Sequence, residues 1–199
     1  MDFSVFDTQG RRKYLNRTEV RRFLEQASRC DDPTYSFCWL MTETGCRISE
    51  ALALTRGNID LGSRLVVIEC LKKRRKGVFR TVPLSSELAA FLKQIYDLQG
   101  TSAKHEAAER LWPWTRLTGY RKIRKVMAFA GLSGLHATPK GLRHGYGVAA
   151  ISAGIPLNLV QSWLGHADIA TTAIYAAVTG PEERAIASRL WTYYAPSGG

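Results

Sequence analysis

Apolar positions in the first third of the chain recur at helical spacing. Val20, Phe23, Leu24 and Ala27 fall on one face of a helix. Its start is marked by Asn16 as N-cap, by Glu19 to complete a capping box, and by Leu15 placed to staple against Val20. Pro33 opens a second helix, from about Thr34 to Thr44, whose apolar content is Tyr35, Trp39 and Leu40. Gly45 fits the left-handed position that ends it. A third, short helix is predicted from about Ile48 to Leu54. The period then becomes that of extended chain. Leu65-Val66-Val67-Ile68 and the run from Val78 to Val82 flank Lys72-Lys73-Arg74-Arg75-Lys76-Gly77. This predicts a β-hairpin with a basic tip, closed by Pro83.

Helical period returns from Ser86 to Leu98 through Leu88, Phe91, Leu92 and Ile95. Residues 100–110 are polar and predict a surface loop. From Thr115 to Ala130, Tyr120, Ile123, Met127 and Ala130 form an apolar stripe with Arg116, Arg121, Lys122, Arg124 and Lys125 around it. A solvated face and a phosphate-facing one fit that pattern equally. Thr138-Pro139 is a cap followed by proline at the first helical position, and Gly154 ends that helix. Another runs from Pro156 to Gly165, and Asp168 caps a further one that carries Tyr175 two turns in. Gly180-Pro181-Glu182-Glu183 begins the last helix, with acid near its positive end. The layout predicts an α+β fold: a mainly helical single domain over residues 15–199 with one small antiparallel sheet, after a loose arm at residues 1–14.

Composition narrows the function. The 199 residues are 45% hydrophobic, enough for a core, and carry a formal charge of +11. The excess points to a polyanionic partner; charge alone does not separate DNA, RNA and an anionic membrane. No run of about 18 uncharged apolar residues predicts a membrane span. The start, Met-Asp-Phe-Ser-Val-Phe-Asp, lacks the basic and apolar regions of a secretion signal. Cys30, Cys38, Cys46 and Cys70 form no Cys-x-x-Cys pair and have no histidine at zinc-finger distance. The expectation is reduced, mostly buried thiols in a cytosolic protein, with no metal site.

Four places combine cationic or nucleophilic side chains with helix ends and turns. Arg47, in Thr44-Gly45-Cys46-Arg47-Ile48-Ser49-Glu50, stands just after a glycine break. A guanidinium there forks onto two phosphate oxygens or pairs with Glu50 on the surface. The hairpin tip offers a lysine that reaches a DNA groove and gives up a proton, or simply a basic loop lying on phosphates. Lys140 and Arg143 are i and i+3 on one helix face. His166, in Trp163-Leu164-Gly165-His166-Ala167-Asp168, lies on a turn between helices, and Tyr175 follows nine residues later. Taken alone, a core histidine and an interface tyrosine fit that pair equally well.

Taken in order, these places form one pattern. Thr-Gly-Cys-Arg-Ile-Ser-Glu-Ala-Leu, the basic hairpin ending Arg80-Thr81-Val82-Pro83-Leu84, Gly-Leu-Arg-His-Gly and Leu-Gly-His-x₈-Tyr agree in sequence and spacing. From about Leu15 to Tyr194 the chain resembles the tyrosine recombinase (phage integrase) family. The resemblance implies that family's catalytic-domain fold and a site-specific DNA recombinase of integrase, invertase or resolvase type. Such an enzyme cleaves double-stranded DNA through a 3′-phosphotyrosyl intermediate, frees a 5′-hydroxyl, and needs no metal or other cofactor. On this resemblance Tyr175 is the nucleophile, and Arg47 and Arg143 clamp the non-bridging oxygens. His166 donates to the same phosphate. Lys72 is the general acid for the leaving 5′-oxygen, with Lys73 the alternative. Lys73, Arg74, Arg75, Lys76, Arg80, Arg121, Lys122, Arg124 and Lys125 are the expected DNA contacts.

Two departures from the family pattern shape further expectations. Lys140 stands where the family usually has histidine, three before Arg143. It either donates to the phosphate or, with a pKa depressed by nearby cations, serves as base toward Tyr175. His136 and His144 do not match that position, and His144 is read as packing or phosphate support. Residues 1–14 leave no room for the extra helical domain that precedes the catalytic one in most members, a short form shared by fimbrial-switch invertases. The expectation is a one-sided grip on DNA in the cytoplasm and nucleoid, weak as a monomer. It would be strengthened by a tetramer on DNA or by an accessory DNA-binding protein. The C-terminal helix from about Pro181, with Ile186, Leu190, Trp191 and Tyr194 at helical spacing, either exchanges between protomers or packs on its own domain. Two rivals stand beside the recombinase: a type IB topoisomerase-like enzyme and a non-catalytic DNA-binding relative.

Overall fold

A computed structural model of the chain describes residues 4–71, 77–98, 107–176, 184 and 187–191. Helices α1 (Arg17–Ala27), α2 (Asp32–Thr44) and α3 (Ile48–Ala51) lead into strands β1 (Ile59–Asp60), β2 (Leu65–Glu69) and β3 (Phe79–Pro83). Helices α4 (Ser86–Ile95), α5 (Arg116–Phe129), α6 (Pro139–Ser152), α7 (Leu157–Leu164) and α8 (Ala170–Ala173) follow. The three strands form an antiparallel sheet in chain order, with Val66 opposite Val82 and Ile68 opposite Arg80. Among the described residues no helix is long and apolar enough to cross a membrane.

Local signals set most of these boundaries. Asn16 accepts from Glu19 N at 2.9 Å and the Glu19 carboxylate accepts from Asn16 N at 2.9 Å, so the capping box forms. Asp31 caps α2 one residue earlier than the proline suggested, placing Pro33 inside the first turn. Thr138 accepts from Gly141 N at the start of α6, and Gly45 and Gly165 end α2 and α7 in the left-handed conformation.

Helix α2 lies at the centre, packed against α1, α4 and α6. Its buried apolar face is Phe37, Cys38, Leu40 and Met41. Tyr35 and Trp39, named with Leu40 as the apolar content of this helix, are half-buried at its edge; they stack on each other at 5.1 Å and both meet Phe91 of α4. Trp112 donates to the Pro33 carbonyl at 2.9 Å and so pins the chain ahead of α5 onto α2. Helix α6 joins two apolar clusters. Leu142 belongs to the main core, and Val148 and Ala150 belong to a second one with Val5, Tyr14, Val160, Leu164 and Tyr175.

Three expectations change. The arm is not loose over its described part: Phe6 pairs with Arg12, and Val5 is buried at 1% exposure in the second cluster. Apolar burial of Val5 and Tyr14 outweighs the entropy of ordering a short turn. The helix over 48–54 ends at Ala51, and the sheet gains the two-residue β1. The helix expected to carry Tyr175 is the single turn Ala170–Ala173, and Tyr175 lies in the turn after it. The basic tip, residues 72–76, lies outside the described residues, as do Pro181, Ile186 and Tyr194. Leu190 and Trp191 are exposed.

Candidate active site

Arg143 is buried at 8% exposure on α6. Its two terminal nitrogens donate to the carbonyls of Gly45 at 2.7 Å and Leu164 at 2.8 Å. These are the C-terminal ends of α2 and α7, where the helix dipoles are negative. Burial, and then the charge of Arg47, lower the Arg143 pKa to about 10, so the group stays cationic at neutral pH. Gly45 makes the first contact possible: its φ is +58°, and a Cβ there would lie 2.5 Å from the Tyr146 ring.

Arg47 caps the short α3 and is held by Glu50 on that helix. Glu50 Oε1 accepts from Arg47 Nη1 at 2.8 Å, and Oε2 accepts from the Arg47 backbone N–H at 2.9 Å. Oε2 also accepts from Arg80 Nη2 at 2.7 Å. Burial alone would raise the Glu50 pKa; the hydrogen bond and charge of Arg80, with Arg47, outweigh it and hold the carboxyl below its ordinary range. Arg80 donates further to the Trp163 carbonyl at 2.7 Å and to Cys70 Sγ at 3.2 Å. Arg80 was expected among the DNA contacts. Its side chain is instead 5% exposed, because residue 80 alternates with exposed Phe79 and Thr81 on the inward face of β3.

His166 follows α7 and is fixed through Nδ1, 2.8 Å from the hydroxyl of buried Thr172. Tyr175 is 2% exposed, and its ring stacks beside His166 with centroids 6.3 Å apart. The Tyr175 hydroxyl lies 3.1 Å from Nδ1 of His144. Burial, then the cations Arg143 and Arg47, push the His166 pKa down to about 3. Burial, then Lys140, Arg143 and Lys13, push that of His144 down to about 4. Both imidazoles are neutral at pH 7. Burial raises the Tyr175 pKa and outweighs the lowering by Arg143 and Arg47, so the resting phenol keeps its proton.

The structure therefore brings Arg47, Arg143, His166 and Tyr175 together in one chain. Lys140 is exposed near the start of α6, one turn before His144. Lys72, Lys73, Arg74, Arg75 and Lys76 lie outside the described residues. Of the α5 cations, Arg121 and Lys125 are exposed. Lys122 donates to Thr34 at 2.7 Å and covers the Trp114 ring, and Arg124 donates to the Ala137 carbonyl, so both are engaged within the chain. Among the described residues no three His, Cys, Asp or Glu side chains gather as a metal site. Sequence reasoning missed Thr172 and the inward pairing of Glu50 with Arg80. Strand alternation signalled the second, since residue 80 shares a face with Val82.

Residues 13–181 match the profile described as the phage integrase family. The chain is 32% identical over 147 residues to a tyrosine recombinase XerD of Neisseria meningitidis, a match covering 70% of this chain and 48% of that protein. It is also 32% identical over 162 residues to a resolvase of Escherichia coli strain K12, covering 68% and 60%. The chain thus spans about half the length of the XerD relatives it matches. The crystal structure of XerA recombinase aligns with a TM-score of 0.72 at 25% identity, covering 93% of this chain and 66% of that one. The catalytic domain of bacteriophage HP1 integrase aligns at 0.63 and 22%, covering 93% and 98%, and shares the fold. With its motifs gathered into one site and the profile matched over most of its length, the chain belongs to the phage integrase family.

Proposed function

We propose that the chain is the cleaving unit of a site-specific DNA recombinase, with double-stranded DNA as its substrate. Tyr175 Oη releases its proton to solvent water as it attacks a backbone phosphorus, the bond to the 5′-oxygen breaks, and a 3′-phosphotyrosyl link forms. Lys72 or Lys73 protonates the leaving 5′-oxygen. Arg47 and Arg143 meet the charge that develops on the non-bridging oxygens, already oriented by Glu50 and by two carbonyls. With a Thr172 hydroxyl hydrogen on Nδ1, neutral His166 carries its proton on Nε2 and donates to the same phosphate. The reverse attack by a 5′-hydroxyl reseals the strand. Because the covalent link conserves the energy of the broken bond, no nucleotide is consumed.

The observation that carries this reading is the placing of the Tyr175 phenol beside His166 and within the field of both arginines. Exchange of strands between two sites, rather than relaxation of supercoils, rests on the likeness to a XerD recombinase and a resolvase. Assembly as a tetramer on DNA through the C-terminal helix, with or without an accessory protein, is part of the same reading.

The test uses duplexes that the chain selects from a random-sequence library, rebuilt with a nick beside the cleavage position so that the cut strand is lost. A protein–DNA adduct with the wild-type chain and none with Tyr175→Phe is the expected result. Equal DNA binding by both with no adduct from either would establish a non-catalytic binder. Fast relaxation of supercoiled plasmid without recombinant products would establish a topoisomerase.

A further inference from the structure

His144 follows Arg143 on α6, and its Nδ1 lies 3.1 Å from the Tyr175 hydroxyl. The two rings are tilted by 59° with centroids 5.7 Å apart, so they meet through the nitrogen and not by stacking. His144 Nε2 is buried and has no hydrogen-bond partner among the described residues. The phenol is itself buried, and the bond to His144 is the hydrogen bond its hydroxyl makes among the described residues.

These facts select a tautomer. If Nδ1 carried the proton, it would donate to the phenol oxygen, leaving both the phenol hydrogen and the Nε2 lone pair buried without partners. If Nε2 carries it, the phenol hydrogen is satisfied by Nδ1 and only the Nε2 N–H is left over. A buried polar group without a partner costs roughly 1–3 kcal/mol, so the arrangement with fewer orphans wins.

Resting on the reading of Tyr175 as nucleophile, we propose that His144 is its positioning residue, a neutral imidazole that accepts the phenol hydrogen at Nδ1. The bond sets where the oxygen lone pairs point before DNA arrives. His144 does not store the proton. Lys140 stands one turn away on its own helix, Arg143 beside it, and Lys13 comes from the N-terminal arm, so an imidazolium there would face three cations. The position three before Arg143, where the family pattern has histidine, is here the exposed Lys140. The imidazole that reaches the phenol comes from the residue after the arginine instead.

The experiment has two arms. In the free chain, ¹⁵N resonances of the His144 ring should show an unprotonated Nδ1 and a protonated Nε2, and Tyr175→Phe should move the Nδ1 signal. On the nicked duplexes described above, His144→Phe keeps a ring of similar shape and should slow adduct formation roughly 10–100-fold with DNA affinity unchanged. His144→Asn, with an amide oxygen near the place of Nδ1, should recover most of that loss. The defect should persist when the leaving 5′-oxygen is replaced by sulfur, which needs no general acid.

A protonated Nδ1, a His144→Phe rate within about twofold of wild type, or full rescue by the sulfur leaving group would overturn the proposal. So would a failure of His144→Asn to recover activity while folded and DNA-bound. A wild-type chain that forms no adduct overturns the nucleophile reading and this role with it. Normal wild-type cleavage with a protonated Nδ1 overturns the role of His144 alone.

Discussion

Glu50 and Arg80 form an ion pair sealed from water, at 2.7 Å with side chains 0% and 5% exposed. The pair joins three elements: Glu50 sits on α3 and orients Arg47, while Arg80 on β3 holds the Trp163 carbonyl of α7. Removing one partner leaves the other charge buried, which typically costs about 3–5 kcal/mol. Glu50→Ala is therefore expected to lower the free energy of unfolding by about that amount, read from urea denaturation followed by circular dichroism. A loss below ~1 kcal/mol would show that water or another group takes over the carboxylate's place.

Gly147 faces the nucleophile. A Cβ at this position would meet three Tyr175 ring carbons at 2.5, 2.6 and 2.6 Å. Gly147→Ala should favour α6 itself by up to ~1 kcal/mol, since alanine is the better helix former. The methyl group must nevertheless push the phenol off its seat. The expected outcome is normal helicity and DNA affinity with adduct formation reduced at least about tenfold. Unchanged cleavage by Gly147→Ala would mean that the ring leaves this seat before it reacts.

The capping box of Asn16 and Glu19, the Thr138 cap, and the glycine stops at 45 and 165 were readable because each depends on residues a few positions apart. The order of Arg47, Arg143, His166 and Tyr175 was readable as motif. What could not be read depends on contacts far apart in the chain. The phenol's neighbour is 31 residues away and the partner of Arg80 is 30 away. The helix around Tyr175 was overdrawn for a physical reason. Asp168 accepts from Ala170 N but the N-cap is Ile169, and after one turn the bonding tightens to three-residue steps, Tyr175 N to the Thr172 carbonyl and Ala176 N to that of Ala173, both at 3.0 Å. Of the apolar residues that the sequence offers on α2, Leu40 is buried with Phe37, Cys38 and Met41, while Tyr35 and Trp39 cover the α2–α4 seam, a division that depends on where α4 docks.

The cations divide into surface and interior groups, and salt separates them. Arg121 and Lys125 are exposed on α5, while Arg80, Lys122 and Arg124 are spent on contacts within the chain. If α5 faces DNA, Arg121→Ala and Lys125→Ala should each reduce the slope of log affinity against log salt by about one. Lys122→Ala should leave the slope alone and lower stability instead, since it strips the cover from Trp114 and the bond to Thr34. Fluorescence anisotropy over a potassium chloride series checks both. Unchanged slopes for Arg121→Ala and Lys125→Ala would place α5 away from DNA.

Acid should loosen the fold well before the carboxylates titrate. His144 and His166 are held neutral, with pKa values pushed from an ordinary 6.5 down to about 4 and about 3. Below pH 6.5 the unfolded chain binds protons at both positions that the folded chain refuses, so unfolding is favoured as pH falls. The contribution is intact above pH 6.5 and declines from there down to the folded values. Full linkage gives about 2 kcal/mol per histidine between pH 7 and 5; half of that, allowing for their partial exposure, leaves about 2 kcal/mol for the pair. For a chain of this size that is a fall in Tm on the order of 5 °C. Glu50 does not contribute in this window: its carboxyl is held below its ordinary 4.5, and its stabilisation is lost only at lower pH. His144→Phe removes one of the two groups and should roughly halve the dependence. Chemical denaturation at pH 7, 6 and 5 measures it, and stability that stays flat or rises toward pH 5 would show that these imidazoles are open to water and protons in the folded chain.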